Sequence, residues 1–431
     1  MPRCTFASQI VPSIHYSIIP FALRRAHLSL LGFFRINGSY NICCGGAPCV
    51  PSFHHSNSRF FLVFPLIAAS AFLAALPPIS DSTSQHFKIQ SENYLQAPDS
   101  VGAGLFEYLT GFQFDINGNL FVSDYKHMRA LRFAADGSFL SSVPWEKGLP
   151  EAGGKTLFVI SASPQGLLYA IEPVVSKRVY AYNDRGAIEQ KSSYEQKEFS
   201  IWEYVFVDDH TIAASIKEMT TYPRRQLKTR QSIALINLKD WWRLTVKETE
   251  RRDGGDFSSD FTNIVSNRKG EFFFGLSSQK EYVVYMNDKR GELIRTITRK
   301  YAPVAMQGAK RDEFVMSLEG RERVEAKLQM SPTTVSDKEP FYHAINWLAL
   351  DSFDNLWVVT SEGQNDDMLS VDLYDANGNF RKTLFLENKE LGGQRLTNIR
   401  IRDNYLYSII GTRDEHDQHI YRYKLPKEVW Q

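Results

Sequence analysis

The sequence predicts an all-β fold in which six four-stranded antiparallel sheets form a closed ring. Short apolar runs recur between turn signals, as in residues 112–143, where Asn117-Gly118 and Asp136-Gly137 close hairpins. A second copy of this pattern lies at 348–385. The runs are apolar on both faces, so each sheet must be covered on both sides. Stacking like sheets around an axis covers them and protects their edges.

The repeats follow one another along the chain. An isolated strand at 86–94 precedes them, and the six repeats occupy 108–143, 157–190, 201–246, 261–298, 344–386 and 396–425. The last repeat has only three strands, so we expect the isolated strand to supply the fourth and hide an open edge. Phe87–Gln90 should lie outermost, beside Ile420–Lys424. Phe87 and Ile89 share one face of that strand and should be its buried pair.

Two segments interrupt the regular spacing of the repeats. Residues 217–231 are rich in basic side chains and separate the second and third strands of the third repeat. Residues 301–342 lie between the fourth and fifth repeats, and within them apolar residues recur at near-helical spacing over 310–330. Ser331-Pro332 ends that pattern. We predict one helical insertion there, a surface helix with a single apolar stripe.

The turn motifs resemble those of a known architecture. The pattern DxxGNLFVSD at 115–124, its counterpart at 351–360, and the Asp-x-x-Gly or Asp-x-Asn-Gly turns before the fourth strands resemble six-bladed β-propellers of the NHL-like type. The resemblance is to the secreted bacterial six-bladed β-propeller group in particular, and it covers about residues 81–431. Because such propellers serve many functions, the resemblance implies an architecture and no single activity.

Residues 1–80 differ in composition from the rest of the chain. They contain five Arg, no Lys and no acidic residue. Residues 60–76 form an apolar run that follows Arg59, which is typical of a signal-peptide core and is at the short limit for a membrane span. We therefore predict an unassigned leader at 1–58, a signal peptide or membrane anchor at 59–80, and the propeller at 81–431.

The leader leaves alternatives open. Its Arg-only, acid-free composition resembles a transit peptide, and it also fits sequence translated ahead of the true start. All four Cys lie in it, so the propeller needs no disulfide. We expect a secreted, periplasmic or membrane-anchored protein. N-terminal sequencing of the exported product should begin after Leu76 or retain 60–76, and a soluble cytoplasmic chain starting at Met1 would contradict export.

The charge balance argues against a nucleic-acid partner. The chain carries 50 basic and 49 acidic residues, and once the five Arg of residues 1–80 are removed the acidic residues are in excess. This balance lacks the excess of basic residues that is typical of proteins that bind nucleic acids. We expect a monomer that binds a small molecule, a peptide or a protein.

The candidate ligand contacts lie on one face of the ring. Because strands alternate in direction, the connections between repeats and those between second and third strands open on the same face, which we call the elaborated face. Loops on a rigid scaffold are where function concentrates. Tyr222, Arg224 and Arg225 could grip an anionic group. His416 and His419 have side chains that bind metals, although their spacing matches no zinc motif. The alternative for both groups is a solvated hairpin tip.

Four polar residues lie at the upper ends of the innermost strands: Glu203, Asn263, Asn346 and Asn398. In propeller lactonases and related hydrolases, which the chain resembles in fold, Glu, Asn and Asp at such positions hold calcium. The acidic contribution is small here, so we favour a role in hydrogen bonding the strand ends. There is no Gly-rich phosphate loop or nucleophile elbow. We predict a binding module without a cofactor, and the alternative is a calcium-dependent hydrolase or lactonase.

Overall fold

The computed structural model describes residues 84–95, 109–115, 117–125, 127–145, 158–172, 177–183, 185–194, 198–221, 227–251, 260–307, 311, 341–365, 368–387, 397–410 and 418–430. Over these residues the chain is a six-bladed β-propeller. Each blade contains four antiparallel strands, and the strand that follows the connection from the preceding blade is innermost. The predicted fold class is therefore confirmed.

The strands follow the chain from blade to blade. The N-terminal strands are β1 (Gln85–Lys88) and β2 (Ser91–Asn93). Blade one contains β3 (Leu109–Phe114), β4 (Leu120–Asp124), β5 (Arg129–Phe133) and β6 (Phe139–Pro144). Blade two contains β7 (Val159–Ala162), β8 (Leu168–Ile171), β9 (Arg178–Tyr182) and β10 (Ile188–Ser193). Blade three contains β11 (Phe199–Phe206), β12 (Thr211–Thr221), β13 (Leu227–Asn237) and β14 (Arg243–Arg251).

The second half of the ring repeats this order. Blade four contains β15 (Val265–Ser266), β16 (Phe272–Gly275), β17 (Tyr282–Asn287) and β18 (Leu293–Arg299). Blade five contains β19 (Ile345–Leu350), β20 (Leu356–Asn365), β21 (Met368–Tyr374) and β22 (Phe380–Glu387). Blade six contains β23 (Thr397–Arg402), β24 (Tyr405–Ile410) and β25 (His419–Lys424), and a 3-10 helix follows at Lys427–Val429.

The Asp-x-x-Gly pattern closes turns on their own backbone. In blade one, the Asp115 carboxylate accepts a hydrogen bond from the Asn119 amide at 2.8 Å, and Gly118 adopts a φ of 89°. In blade five, Asp351 accepts from the Asn355 amide at 2.9 Å. A short carboxylate or amide side chain that bonds its own backbone favours such a turn, and glycine accepts the positive φ at no steric cost.

The cores lie between neighbouring blades. Leu120 and Val122 of β4 pack with Tyr407 of blade six, whereas Phe121, between them, packs with Tyr180 of blade two. Alternate residues of one strand thus enter two different cores. This explains the runs that are apolar on both faces.

The ring closes through an N-terminal strand, but the predicted residues for it were wrong. β2 pairs antiparallel with β25, with Ser91 opposite Tyr423 and Asn93 opposite Tyr421. Phe87–Gln90 is not the outer strand of blade six, because β1 instead runs parallel to β22 and adds a fifth strand to blade five. Ile89 is buried as expected and Phe87 is partly buried. The polar Ser-Glu-Asn of β2 gives little strand signal, whereas the alternating segment before it does.

The two faces of the ring differ in their connections. The face opposite the elaborated face, which we call the turn face, has short turns such as 115–119, 288–292 and 375–379. The connection between β18 and β19, which is much longer in sequence, leaves and re-enters the ring on the elaborated face. The basic insertion on this face begins as a regular hairpin, because β12 and β13 pair out to Thr221 opposite Leu227.

The insertion between blades four and five has a closed base. Ala305 pairs with Phe341 in an isolated bridge, and the Tyr342 amide donates to the Val304 carbonyl at 2.9 Å. Tyr301 is buried in the adjoining core. Apart from Arg311, which is helical, the helix predicted at 310–330 lies outside the described residues.

Replacing 308–340 by a short Gly-Ser linker is expected to leave the melting temperature almost unchanged, because the base already brings the ends together and loop entropy changes slowly with length. Removing all of 301–342 should instead destabilise the protein, since it removes Tyr301 from the core. Thermal unfolding of the two variants tests this pair. Aggregation of the shorter deletion would show that the insertion covers apolar surface.

No helix among the described residues is long and apolar enough to cross a membrane. The apolar run at 60–76 lies outside those residues.

Candidate functional site

The central channel is lined by the inner strands, and polar side chains tie these strands together. The Asn263 amide donates to the Leu348 carbonyl and accepts from the Leu348 amide, both at 2.7 Å. In the same way, Trp347 Nε1 donates to the Ile399 carbonyl at 2.9 Å. Both groups satisfy the edge of an inner strand that faces no further strand. The inner wall of the channel is therefore fixed by side chains as well as by blade packing.

The four predicted channel residues occupy four different blades. Asn263 uses both polar atoms of its amide on Leu348, which is the hydrogen-bonding role favoured from the sequence. Asn346 Nδ2 donates to Ser361 Oγ at 3.0 Å. Asn398 adopts a left-handed φ of 53°. Among the described residues, no three His, Cys, Asp or Glu side chains are grouped closely enough to hold a metal ion.

Bulges explain where two of these residues lie. β19 shifts register between Ile345 and Trp347, and β23 shifts between Thr397 and Arg400. Asn346 and Asn398 occupy those bulges. A bulge changes the direction of the side chains that follow it, so the bulge at Asn398 helps to aim Arg400.

Arg400 is a cation of the channel wall. Its Nε donates to Gln113 Oε1 of blade one at 2.9 Å, and its Nη1 donates to the Ile399 carbonyl at 3.0 Å. Its Cζ lies 5.9 Å from the ring centroid of Phe112 and 5.9 Å from that of Trp347, on the two neighbouring blades. Cation–π contact of this kind stabilises a partly desolvated guanidinium.

Two opposing effects act on the charge of Arg400. Burial lowers the pKa of Arg400, and the negative charge of Glu203 opposes that shift. Glu203 is on β11 in blade three, across the ring from blade six. Arginine nevertheless keeps its proton in proteins. The channel therefore holds a permanent positive charge that faces a carboxylate from the opposite blade.

A second polar cluster lies on the elaborated face of blade one. The fully buried Asp124 carboxylate accepts from His127 Nδ1 at 2.8 Å and from Arg129 Nε at 3.1 Å. The His127 side chain is 38% exposed. A carboxylate that holds Nδ1 fixes the orientation of the ring and leaves Nε2 on the exposed side. His127 is thus an oriented imidazole at a second-to-third-strand loop.

The sequence-predicted ligand residues are only partly described. Tyr222, Arg224, Arg225 and His416 lie outside the described residues. His419 begins β25, and its ring packs edge-on against Tyr421 with centroids 6.0 Å apart.

Arg400 and Gln113 were not predicted from the sequence, and no role was assigned to His127. Arg400 lies in the alternating segment Asn398–Arg402, which indicates only a strand with one charged face. Pairing with Gln113 joins residues 287 positions apart in sequence, and no local pattern reports such a contact. The His127 cluster carries a usable signal, since Asp124, His127 and Arg129 span a single tight loop after a buried strand.

Comparisons with known proteins add little beyond the architecture. No family model matches the sequence, and no curated protein matches it. A member of the DUF4221 family from Bacteroides vulgatus is 13% identical, with 78% of this chain and 97% of that chain covered and a TM-score of 0.48. A Bacteroides fragilis protein whose export is predicted is 13% identical, with 80% and 100% covered and a TM-score of 0.44.

A third similar structure is the calcium-binding protein regucalcin from Agrobacterium tumefaciens. It is 10% identical, with 79% of this chain and 97% of that chain covered and a TM-score of 0.38. At such low identity a likeness concerns the fold alone. The six-bladed architecture is established by the strand pairing of the chain itself.

Proposed function

We propose that this protein is an extracytoplasmic binding module whose ligand enters the central channel from the elaborated face. The observation that carries the proposal is the asymmetry of the ring. Short turns such as the one from Asp115 to Asn119 build one face, and the much longer connection between β18 and β19 leaves and re-enters the ring on the other. A rigid scaffold with elaborated loops on one face is the common arrangement of binding proteins.

Two described groups support that face and its channel as the binding region. His127 presents an oriented imidazole at the rim. Arg400 presents a positive charge inside the channel. Ligand sites typically combine a preformed concave space with a few fixed polar groups. Export is supported by the apolar run at 60–76, which follows Arg59.

The Cys-free propeller allows a direct test with residues 81–431. Lys280→Cys places one thiol on the elaborated face, in the exposed loop between β16 and β17, and Asp209→Cys places one on the turn face, where Asp209 is exposed. A defined set of metabolites and peptides is first screened for compounds that raise the melting temperature. Such compounds should slow alkylation of the thiol at 280 and leave the thiol at 209 unaffected. Protection of 209 instead, or no stabilising compound at all, would count against the proposal.

Calcium is not expected to be needed for this function, because the Asn263 amide is already committed to Leu348. Equilibrium dialysis of residues 81–431 against calcium, followed by metal analysis, tests this expectation. Uptake of about one ion per chain, with a matching rise in melting temperature, would contradict it.

A further inference from the structure

We propose that Arg400 forms a carboxylate-binding site in the channel, selective for singly charged carboxylates with an apolar body. This inference rests on the proposed function, since it specifies the ligand class for the same channel. Its starting point is the third nitrogen of the guanidinium group. Nε and Nη1 are engaged by Gln113 and Ile399, whereas Nη2 has no acceptor among the described residues.

Nη2 is accessible as well as unbonded. Arg400 as a whole retains partial solvent exposure. Nη2 is not among the described polar atoms that are both sealed from solvent and without a partner. A guanidinium that is held on one side and open on the other presents a fixed donor, so an incoming acceptor loses little side-chain entropy. Carboxylate oxygens match this donor in charge and geometry.

Open space adjoins this donor. Gly111 and Gln113 lie two residues apart on β3 after its bulge, so their side positions share one face of the strand. A Cβ atom added at Gly111 would meet no heavy atom within 4 Å. Because β3 runs from the elaborated face toward the turn face, this space lies above the Gln113–Arg400 hydrogen bond, on the side from which a ligand would enter.

The charge and polarity of the channel define the ligand class. The negative charge of Glu203 acts on the same guanidinium, so a second negative charge on the ligand would be repelled. Phe112 and Trp347 lie beside Arg400 and are almost fully buried, which keeps the guanidinium in apolar surroundings. A monocarboxylate with a planar or aliphatic body fits these conditions, whereas a phosphate dianion does not.

The test uses benzoate as the probe, with benzamide and inorganic phosphate as comparisons, in calorimetric titrations of residues 81–431. Benzoate should bind roughly tenfold or more tightly than benzamide, because only the carboxylate forms a charge-assisted hydrogen bond. Phosphate should bind more weakly than benzoate. In Glu203→Gln this preference for benzoate over phosphate should shrink.

Two substitutions at Gly111 make the test independent of folding defects. Gly111→Leu fills the open space and should weaken benzoate binding by roughly tenfold or more, without lowering the melting temperature. Gly111→Ala is the matched control and should bind nearly as the unmodified chain does. Arg400→Lys keeps the charge but loses the planar fork, and it should also bind benzoate more weakly.

The outcomes distinguish failure of the carboxylate site from failure of the proposed binding module. Benzoate binding that is unchanged by both Gly111→Leu and Arg400→Lys overturns the carboxylate site, and so does a failure of benzoate to bind. If another compound still protects the thiol at 280, the binding module stands while this ligand class is wrong. If benzoate protects the thiol at 209 instead, both proposals fail.

Discussion

Deleting residues 85–94 is expected to cost the propeller about 5 kcal/mol or more of unfolding free energy, or to cause aggregation. The deletion removes β1 from blade five and β2 from blade six, which exposes two strand edges together. It also removes Ile89 from the core shared by these blades. Tyr94, whose hydroxyl donates to the Ala135 carbonyl at 2.8 Å, is lost as well.

Single substitutions show how much of this loss of unfolding free energy comes from one buried side chain. Ile89→Ala should cost about 2–4 kcal/mol, because the side chain is almost fully buried among Leu384, Leu386 and Tyr423. Lys88→Ala is the control on the same strand and should be nearly neutral, since Lys88 is exposed. Chemical denaturation of the variants gives the comparison. An Ile89→Ala variant that unfolds like Lys88→Ala would show that β1 is not part of the stable core.

The two described ends of the chain meet where blades five and six join. This explains why deleting 85–94 should cost so much unfolding free energy. Lys382 Nζ donates to the Glu428 carbonyl at 2.9 Å and to Gln85 Oε1 at 3.2 Å, so one lysine joins both ends to blade five. The Trp430 ring lies 5.6 Å from that of Trp357. Ring closure therefore depends on two terminal segments that hold blades five and six together.

The six-bladed architecture could be predicted from the sequence because the blades repeat similar turn residues and a similar strand pattern. Asp-x-x-Gly turns such as the one at Asp115 and strands apolar on both faces predict stacked sheets without any long-range information. The closing strand was misplaced by a few residues for a physical reason. Phe87 and Ile89 alternate clearly, and a parallel strand on blade five satisfies that alternation as well as the outer edge of blade six does.

The candidate site was harder to predict than the fold. The channel cation Arg400 depends on a bulge at Asn398 and on Gln113 from the far end of the sequence. Neither the bulge nor the pairing has a local signal. The hydrogen-bonding role of Asn263 could be predicted, because an amide at the end of an inner strand lies beside an unpaired backbone edge.

Substituting Asp372→Ala is expected to destabilise the protein by about 3 kcal/mol, through loss of an ion pair between blades four and five. Asp372 is fully buried, and its Oδ2 lies 2.7 Å from Arg299 Nε. Thr383 Oγ1 donates to Asp372 Oδ1 at 2.8 Å. Removing the carboxylate leaves the guanidinium without its buried partner. The cost should stay at the lower end of the range for buried pairs, because the Arg299 side chain is 23% exposed.

Two further variants show whether the charge is the cause. Arg299→Met combined with Asp372→Leu should recover most of the lost stability, since an apolar replacement of a buried pair is often neutral. Arg290→Ala removes an exposed ion pair with Asp288 on blade four, the blade that also contains Arg299. This variant should leave the unfolding free energy unchanged. A double variant as unstable as Asp372→Ala would indicate a packing defect and not an unpaired charge.

The pH dependence distinguishes burial of Asp372 from its pairing. Burial raises the pKa of Asp372 above its ordinary value of 3.8, while Arg299 and Thr383 oppose the shift. The folded protein therefore holds this proton at a higher pH than the unfolded chain does, and the stabilising contribution of the carboxyl group falls as pH rises through that window. The advantage of the unmodified chain over Asp372→Asn should be largest near or below pH 3.8 and should shrink on raising the pH. An advantage that grows with pH would mean that attraction to Arg299 outweighs the cost of burying the carboxylate.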